Sequence, residues 1–232
     1  RDVKFRVGLA MHHDDWRHRA DIPLRRELKA QRTAHLQGPK ISIIVPLYNT
    51  PAKLFDEMLQ SVVRQTYTNW ELVLVDASDA DKRLEHRLPK AVPGEYITLL
   101  DHDDVLYPNA LFEVVQTIQN TGADFVYSDE IVLSADLKEL GGYHFKPDFA
   151  PDYLRGVNFI THLAVFSRPL LDAAGAYESK EFDGAQDHDL ILRLTEKAQR
   201  IEHIKKVLYI WRAAAGSTAA GMEAKPYAVA AG

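Results

Sequence analysis

A chain of 232 residues suits one α/β domain with appended pieces better than two full domains. Its composition, 46% hydrophobic and 26% charged, is that of a globular protein with a sizeable core and not of a disordered chain. A net charge of -5 argues against nucleic acid as the main partner, 0 cysteines exclude disulfides and thiolate metal sites, and no apolar run reaches the roughly 20 residues that span a bilayer.

The opening Arg1-Asp2-Val3-Lys4 does not lead into a signal-peptide core. Residues 12–36 are rich in Arg, His, Asp and Glu, which predicts a polar helix or two, broken near Pro23, in an N-terminal extension over 1–38 packed on a main domain over 39–232. Met11-His12-His13-Asp14-Asp15 could mimic a metal site, but nothing in the pattern orients it. Gly38-Pro39 punctuates the chain, and residues 41–45 form the nearly continuous apolar run of a parallel strand buried on both faces. A loop over Pro46-Leu47-Tyr48-Asn49-Thr50 leads to a helix that Pro51 opens, with Leu54, Phe55, Met58, Leu59, Val62 and Val63 as its apolar stripe. Strands are expected over 72–75, ending at Asp76, over 96–100, ending at Asp101, and over 124–127, ending at Ser128-Asp129-Glu130. A helix opened by Pro108 buries Leu111, Phe112, Val115 and Ile118. Further on the spacing predicts a strand over 159–167, a helix over 187–198 and a strand over 207–211.

Alternating strands and helices imply a layered, mostly parallel α/β sheet flanked by helices. Asp76, Asp101 and Asp129 then fall at C-terminal strand ends, the edge where open α/β sheets bind ligands. Asp101-His102-Asp103-Asp104 packs several carboxylates into four residues, which is unfavourable unless a cation neutralises them. Hard oxygen donors suit Mn²⁺ or Mg²⁺, ions that bridge carboxylates to substrate phosphates. The same run also reads as a solvated acidic turn in which Asp104 or Asn109 caps the next helix. Asp187 and Asp189 read equally as first-turn residues of their helix, Trp211 as core, His162 as an interior histidine, and His144 and Lys146 as surface loop residues.

Several segments, in one order, resemble family 2 of the glycosyltransferases. They are Ile41-Ser42-Ile43-Ile44-Val45-Pro46-Leu47-Tyr48-Asn49, Gln65-Thr66-Tyr67-Thr68-Asn69-Trp70-Glu71-Leu72, Gly94-Glu95-Tyr96-Ile97-Thr98-Leu99-Leu100 running into the acidic cluster, Tyr127-Ser128-Asp129-Glu130, Phe145-Lys146-Pro147-Asp148, Gly184-Ala185-Gln186-Asp187-His188-Asp189-Leu190, and Trp211-Arg212. The resemblance implies the GT-A fold and transfer of a sugar from a nucleoside-diphosphate donor. It implies that Pro46, Tyr48 and Asn49 hold the nucleotide, and that Asp76 accepts a hydrogen bond from its base, expected to be uracil. Asp101, with His102 beside it, faces the ribose and sugar, Asp103 binds the metal, Asp187 is the general base, and Trp211 and Arg212 close the site around the donor. A saccharide or lipid-linked saccharide acceptor follows from the same resemblance, with a cytoplasmic protein that can meet the inner face of the membrane.

Two departures stand out. Residues 80–93 replace a segment that is commonly about 20 residues longer in the family, beyond an ordinary connection. Ala213-Ala214-Ala215-Gly216 stands where many relatives carry another metal-binding histidine, which implies weak, nucleotide-assisted metal binding. Alternative readings are a catalytically decayed module serving as a binding or scaffold domain of a larger synthase, and a sugar nucleotidyltransferase. The latter wants a Gly-rich loop with Arg or Lys, which residues 46–52 do not supply as a triphosphate cradle.

Overall fold

The computed structural model describes residues 22–76, 94–175 and 186–213. The cluster at 11–15, the short connection at 80–93 and the stretch at 214–216 lie outside them. Helix α1 (Arg25–Ala34) starts just past Pro23 and buries none of its residues. It lies along the main body through Gln31, which donates to Glu113 (3.3 Å) and accepts from Thr66 (2.8 Å).

The sheet contains β1 (Ile41–Leu47), β2 (Trp70–Asp76), β3 (Tyr96–Leu99), β4 (Val105–Leu106), β5 (Phe125–Ser134), β6 (Leu140–His144), β7 (Ala164–Ser167) and β8 (Ile201–Ala213). Their order is β2-β1-β3-β7-β5-β8-β4, with β6 paired to β5. Strands β1, β2, β3, β5 and β8 run in one sense, so the sheet is mostly parallel as expected. Strands β7, β4 and β6 run against them. The register aligns Trp70, Ile41 and Tyr96 along one edge, with Ser167 and Phe166 carrying the line to Phe125 and Ile201. The opposite edge therefore collects the C-terminal ends of β1, β2 and β3.

Strands β5 and β8 are far longer than the apolar runs suggested. Their first halves belong to the main sheet, where β5 pairs with β7 through Tyr127. Past an irregularity at Ser128–Glu130 they continue as a narrower wing of the same sheet, in which β5 pairs with β6 and β8 with β4. A bulge lets a strand bend and twist while its pairing continues. Asp129 thus lies within a strand instead of at its end, because pairing with β8 carries β5 on to Ser134. The strand expected over 159–167 is only β7, since the amides of Thr161 and His162 bond the side chains of Asn158 and Glu130 instead of a neighbouring strand.

Two layers of helix cover the sheet. Helices α2 (Ala52–Val63) and α3 (Ala110–Thr121) bury Met58, Val62, Leu111, Val115 and Ile118 against Ile41, Ile43, Val45 and Val165. Helices α4 (Pro151–Gly156), α5 (Arg168–Ala174) and α6 (Gln186–Lys197) bury Leu154, Leu170, Leu190 and Leu194 against Ile44, Ile97, Phe125 and Phe166 on the other face. Each large apolar side chain so buried contributes about 1.5–3 kcal/mol. Helix α3 needs an unusual cap: Asn109 makes no side-chain cap bond, and buried Gln65 instead accepts from Leu111 N (3.0 Å) while donating to Tyr107 O (2.7 Å). At its far end Gly122 adopts φ 72°, the left-handed turn that glycine enters without strain. Among the described residues, no helix is long and apolar enough to cross a membrane.

One knot ties the loop after β3 to the rest. Asp104 is buried and accepts from Tyr209 OH (2.6 Å) and Arg212 N (2.7 Å), both on β8. Arg212, 1% exposed, donates to the carbonyls of Asp103 (2.5 Å) and Ala135 (2.6 Å), and pairs with Glu57 of α2 at 2.8 Å. The Arg fork meets three separate segments at once, which a lysine cannot reproduce. Replacement Arg212→Met leaves the two buried carbonyls without their donor and removes the ion pair to Glu57, and should cost about 3 kcal/mol in urea unfolding. Arg212→Lys should recover little of it, and a loss below ~0.5 kcal/mol in either variant would contradict this role.

Candidate functional site

The C-terminal sheet edge supplies the frame. Pro46 and Leu47 end β1 opposite Val75 and Asp76 of β2, and Tyr48 and Asn49 follow as exposed residues, Asn49 at φ 45°. Asp76 is described by its backbone position only. On the other side of β1, Leu100 N still donates to Ile44 O (3.0 Å), so the acidic turn begins directly at the sheet edge. Of the three carboxylates expected at this edge, Asp76 and Asp101 lie there, on either side of the end of β1.

Within the turn the four side chains have different surroundings. Asp101 is half-exposed, with its carboxylate 3.7 Å from His162 Nε2. His102 and Asp103 are partly exposed, their side chains 4.0 Å apart at the nearest N and O. The Asp104 carboxyl is driven well above the usual carboxylate range by burial and by the charge of Asp101, against the pull of His162, Tyr209 and Arg212. A buried carboxyl of this kind is a tether, not an exposed charge.

Asp101, Asp104 and His162 can each present one ligand atom within 4.8 Å of the others. Both oxygens of Asp104 are already bonded, so it is poorly placed to take an ion. The donors left for a hard cation are the exposed oxygens of Asp101 and Asp103, a set that suits Mg²⁺ or Mn²⁺ arriving with a phosphate.

Beneath the turn lies a second centre, which the sequence reading did not pick out. Glu130 is 0% exposed and meets His144 Nδ1 (2.8 Å), Thr161 Oγ1 (3.1 Å), His162 Nδ1 (3.2 Å) and Lys146 Nζ (3.4 Å). Burial pushes its pKa up, but Lys146 and the bonds from His144 and His162 outweigh that and hold it below the ordinary value. Burial likewise pushes His162 down, yet Glu130, Asp101 and Asp104 raise it to about 9. Lys146, expected at the surface, is instead buried and also donates to the carbonyls of Ile160 (2.6 Å) and His162.

Asp129 is the carboxylate that strand-end reasoning favoured, and the structure corrects it. It is buried, and accepts from Lys146 N (2.9 Å) beside His203 Nε2 (2.9 Å). His203 stacks on Tyr127 at 4.6 Å and meets Asp148 at 3.2 Å, so Asp129 anchors the loop after β6. Side chains alternate along a strand, so neighbouring Asp129 and Glu130 serve different surroundings. That alternation was available in Tyr127-Ser128-Asp129-Glu130, and the missing signal was that the strand continues.

Trp211 is partly buried, tilted against His162 at 5.8 Å and edge-on to His144 at 5.9 Å. Arg212, expected to meet the donor, is enclosed and its fork is engaged by protein groups. Asp187 is exposed in the first turn of α6. Helix α6 leads through residues 198–200 to Ile201 on the N-terminal edge, and its 12 residues rise about 18 Å. Asp189 is committed to Arg193 (2.8 Å), and His188 to the carbonyl of Leu154 (2.6 Å).

Comparison with known proteins fits this architecture. The family described as Glycosyl transferase family 2 matches residues 42–87. An uncharacterized protein, y4gI, of Sinorhizobium fredii is 42% identical over 230 residues, covering 84% of this chain and 25% of that protein. The O-antigen biosynthesis protein RfbC of Myxococcus xanthus is 32% identical over 217 residues, covering 80% of this chain and 17% of that protein. The chain thus spans a quarter or less of the length of these two relatives. Among solved structures, S. aureus TarS 1-349 in complex with UDP superposes with a TM-score of 0.62 at 20% identity, covering 76% of this chain and 61% of that one. The mannosyltransferase PcManGT from Pyrobaculum calidifontis, in complex with GDP-Man and Mn²⁺, gives a TM-score of 0.53 at 19% identity over 75% of this chain and 57% of that one. By its matched segment, its relatives and its GT-A fold, the chain belongs to family 2 of the glycosyltransferases.

Proposed function

We propose that the chain is a sugar-transferring module that takes its sugar from a nucleoside-diphosphate donor, UDP-linked, and passes it to a saccharide or lipid-linked saccharide acceptor in surface polysaccharide synthesis, at the cytoplasmic face of the membrane. The observation that carries this reading is the acidic turn at the sheet edge, where Asp101 and Asp103 stay accessible while Asp104 is locked to β8. Support for the donor class comes from TarS, solved with UDP and with UDP-GlcNAc, and from PcManGT, solved with GDP-Man. Support for the process comes from the relative named for O-antigen biosynthesis.

Asp101 and Asp103 would hold a divalent cation, Mn²⁺ or Mg²⁺, which when bound supplies positive charge to the donor diphosphate. The chain's own residues do the rest. Pro46, Tyr48, Asn49 and Asp76 border the nucleotide, and Asp101, with His102 beside it, takes hydrogen bonds from the ribose and sugar hydroxyls. Trp211 gives the sugar an apolar wall, and Arg212 serves by holding the acidic turn in shape. Asp187 removes the proton of the acceptor hydroxyl as its oxygen bonds to the anomeric carbon. The bond from that carbon to the phosphate oxygen breaks, the nucleoside diphosphate leaves, and the proton stays on Asp187. A single displacement of this kind inverts the anomeric centre.

Thermal unfolding with UDP, GDP, dTDP and CDP, each with and without Mn²⁺, tests the donor site. One nucleotide at about 100 times its Kd should add ~2.7 kcal/mol of apparent stability with Mn²⁺, and Asp103→Ala should abolish the gain. A silent panel would sink the reading. For the base, Asp187→Asn should lower kcat by about 10²–10⁴-fold while nucleotide binding persists. NMR of the fresh linkage should show inversion, and retention would rule out the single displacement.

A further inference from the structure

Burying a carboxylate is costly unless it is paired and bonded. Glu130 has no exposed surface, and besides His144 and Lys146 it is met by one short stretch: the side chain of Thr161 and both the amide and the Nδ1 of His162 reach it, at 3.1, 3.2 and 3.2 Å. Lys146, its buried counter-charge, donates to the carbonyls of Ile160 and His162 in the same stretch. This stretch enters β7 at the sheet edge beside the acidic turn.

The opposite nitrogen of His162, Nε2, stands 3.7 Å from Asp101 Oδ2. The ring is also fixed in its plane, stacked on Tyr209 at 4.6 Å and 10°, and Tyr209 OH is bonded to Asp104. Asp101 itself is half-exposed, and its side-chain rotation is free to follow water unless something directs it.

We infer that His162, clamped by Glu130 on one nitrogen, is the positioning residue that directs the Asp101 carboxylate with the other. This deepens the donor-site reading above and rests on it. A carboxylate held ready in one orientation meets the donor without first losing rotational freedom, which favours binding. The 3.7 Å separation is a contact that tightens on binding, as site hydrogen bonds commonly do.

Two substitutions separate the two nitrogens. His162→Gln keeps a donor near the Nε2 position, facing Asp101, whereas His162→Asn keeps one near Nδ1, facing Glu130; both lose the stack on Tyr209. Calorimetric titration with UDP and Mn²⁺, or with GDP and Mn²⁺ where UDP is silent, should leave His162→Gln within about threefold of the wild type. His162→Asn should bind about tenfold more weakly, the scale of one hydrogen bond to a charged group. Thermal stability should rank the opposite way, with His162→Asn the more stable because it retains the Glu130 bond. Equal affinities, or affinities that follow the stability ranking, would overturn the inference and leave His162 a packing residue. A wild type that binds neither nucleotide would overturn the donor-site reading, and this inference with it.

Discussion

The Asp104 carboxyl, removed from water between Tyr209 OH and the Arg212 amide, is the constraint on which the site is built. Neither bond touches the outward-facing acidic groups, yet together they set where those groups emerge. The turn leaves β3 at a fixed point because Leu100 is still paired to β1, and it must return to meet β8. Between these two anchors stand only Asp101, His102 and Asp103. Arg212 closes the arrangement by gripping the Asp103 carbonyl from below. The accessible carboxylates therefore sit on a rigid support, although the turn looks in sequence like a solvated loop.

The second organising feature is the seam where the main body of the sheet gives way to its narrower wing. Strands β5 and β8 run through it with a shift in register, so both parts of the sheet share backbone. At the seam Asp129 meets His203, while its neighbour Glu130 meets His162 and Lys146. One side chain braces the loop after β6, while the other gathers Lys146 and two histidines under the acidic turn. The positive charge of Lys146 is compensated from within by Glu130, so the acidic turn above it meets an electrostatic balance set by buried groups as well as by the exposed carboxylates.

Much of the fold was legible because the apolar periodicities were strong. The run at 41–45 and the stripe from Leu54 to Val63 each became the element they implied, and the acidic turn fell at the strand end as expected. What stayed hidden were elements held by partners distant in sequence. Val105-Leu106 is too short to show a period, and only its pairing with Tyr209 and Ile210 makes it a strand. The second half of β5 contains Asp129 and Glu130, which read as a strand end until the ladder to β8 is seen. Gln65 and Lys146 belonged to quoted motifs, but their work is to satisfy buried backbone groups, and no local pattern announces such a task. Arg212 misled for the same reason: a charged residue near a site suggests ligand contact, and its full enclosure depends on three remote segments.

The separation of the acidic turn from its anchor also has a meaning in time. Arg212 lies 109 residues beyond the carbonyl it holds, and Tyr209 lies 105 beyond Asp104. A chain made from its N-terminus at about 5–20 residues per second extends for several seconds after the turn is synthesised before either anchor exists. During that interval the carboxylates have no support from β8, and β5 lacks its longest partner. The acidic turn consequently gains its fixed shape only after β8 is made. Strands β1, β2 and β3 are complete on the nascent chain well before that point.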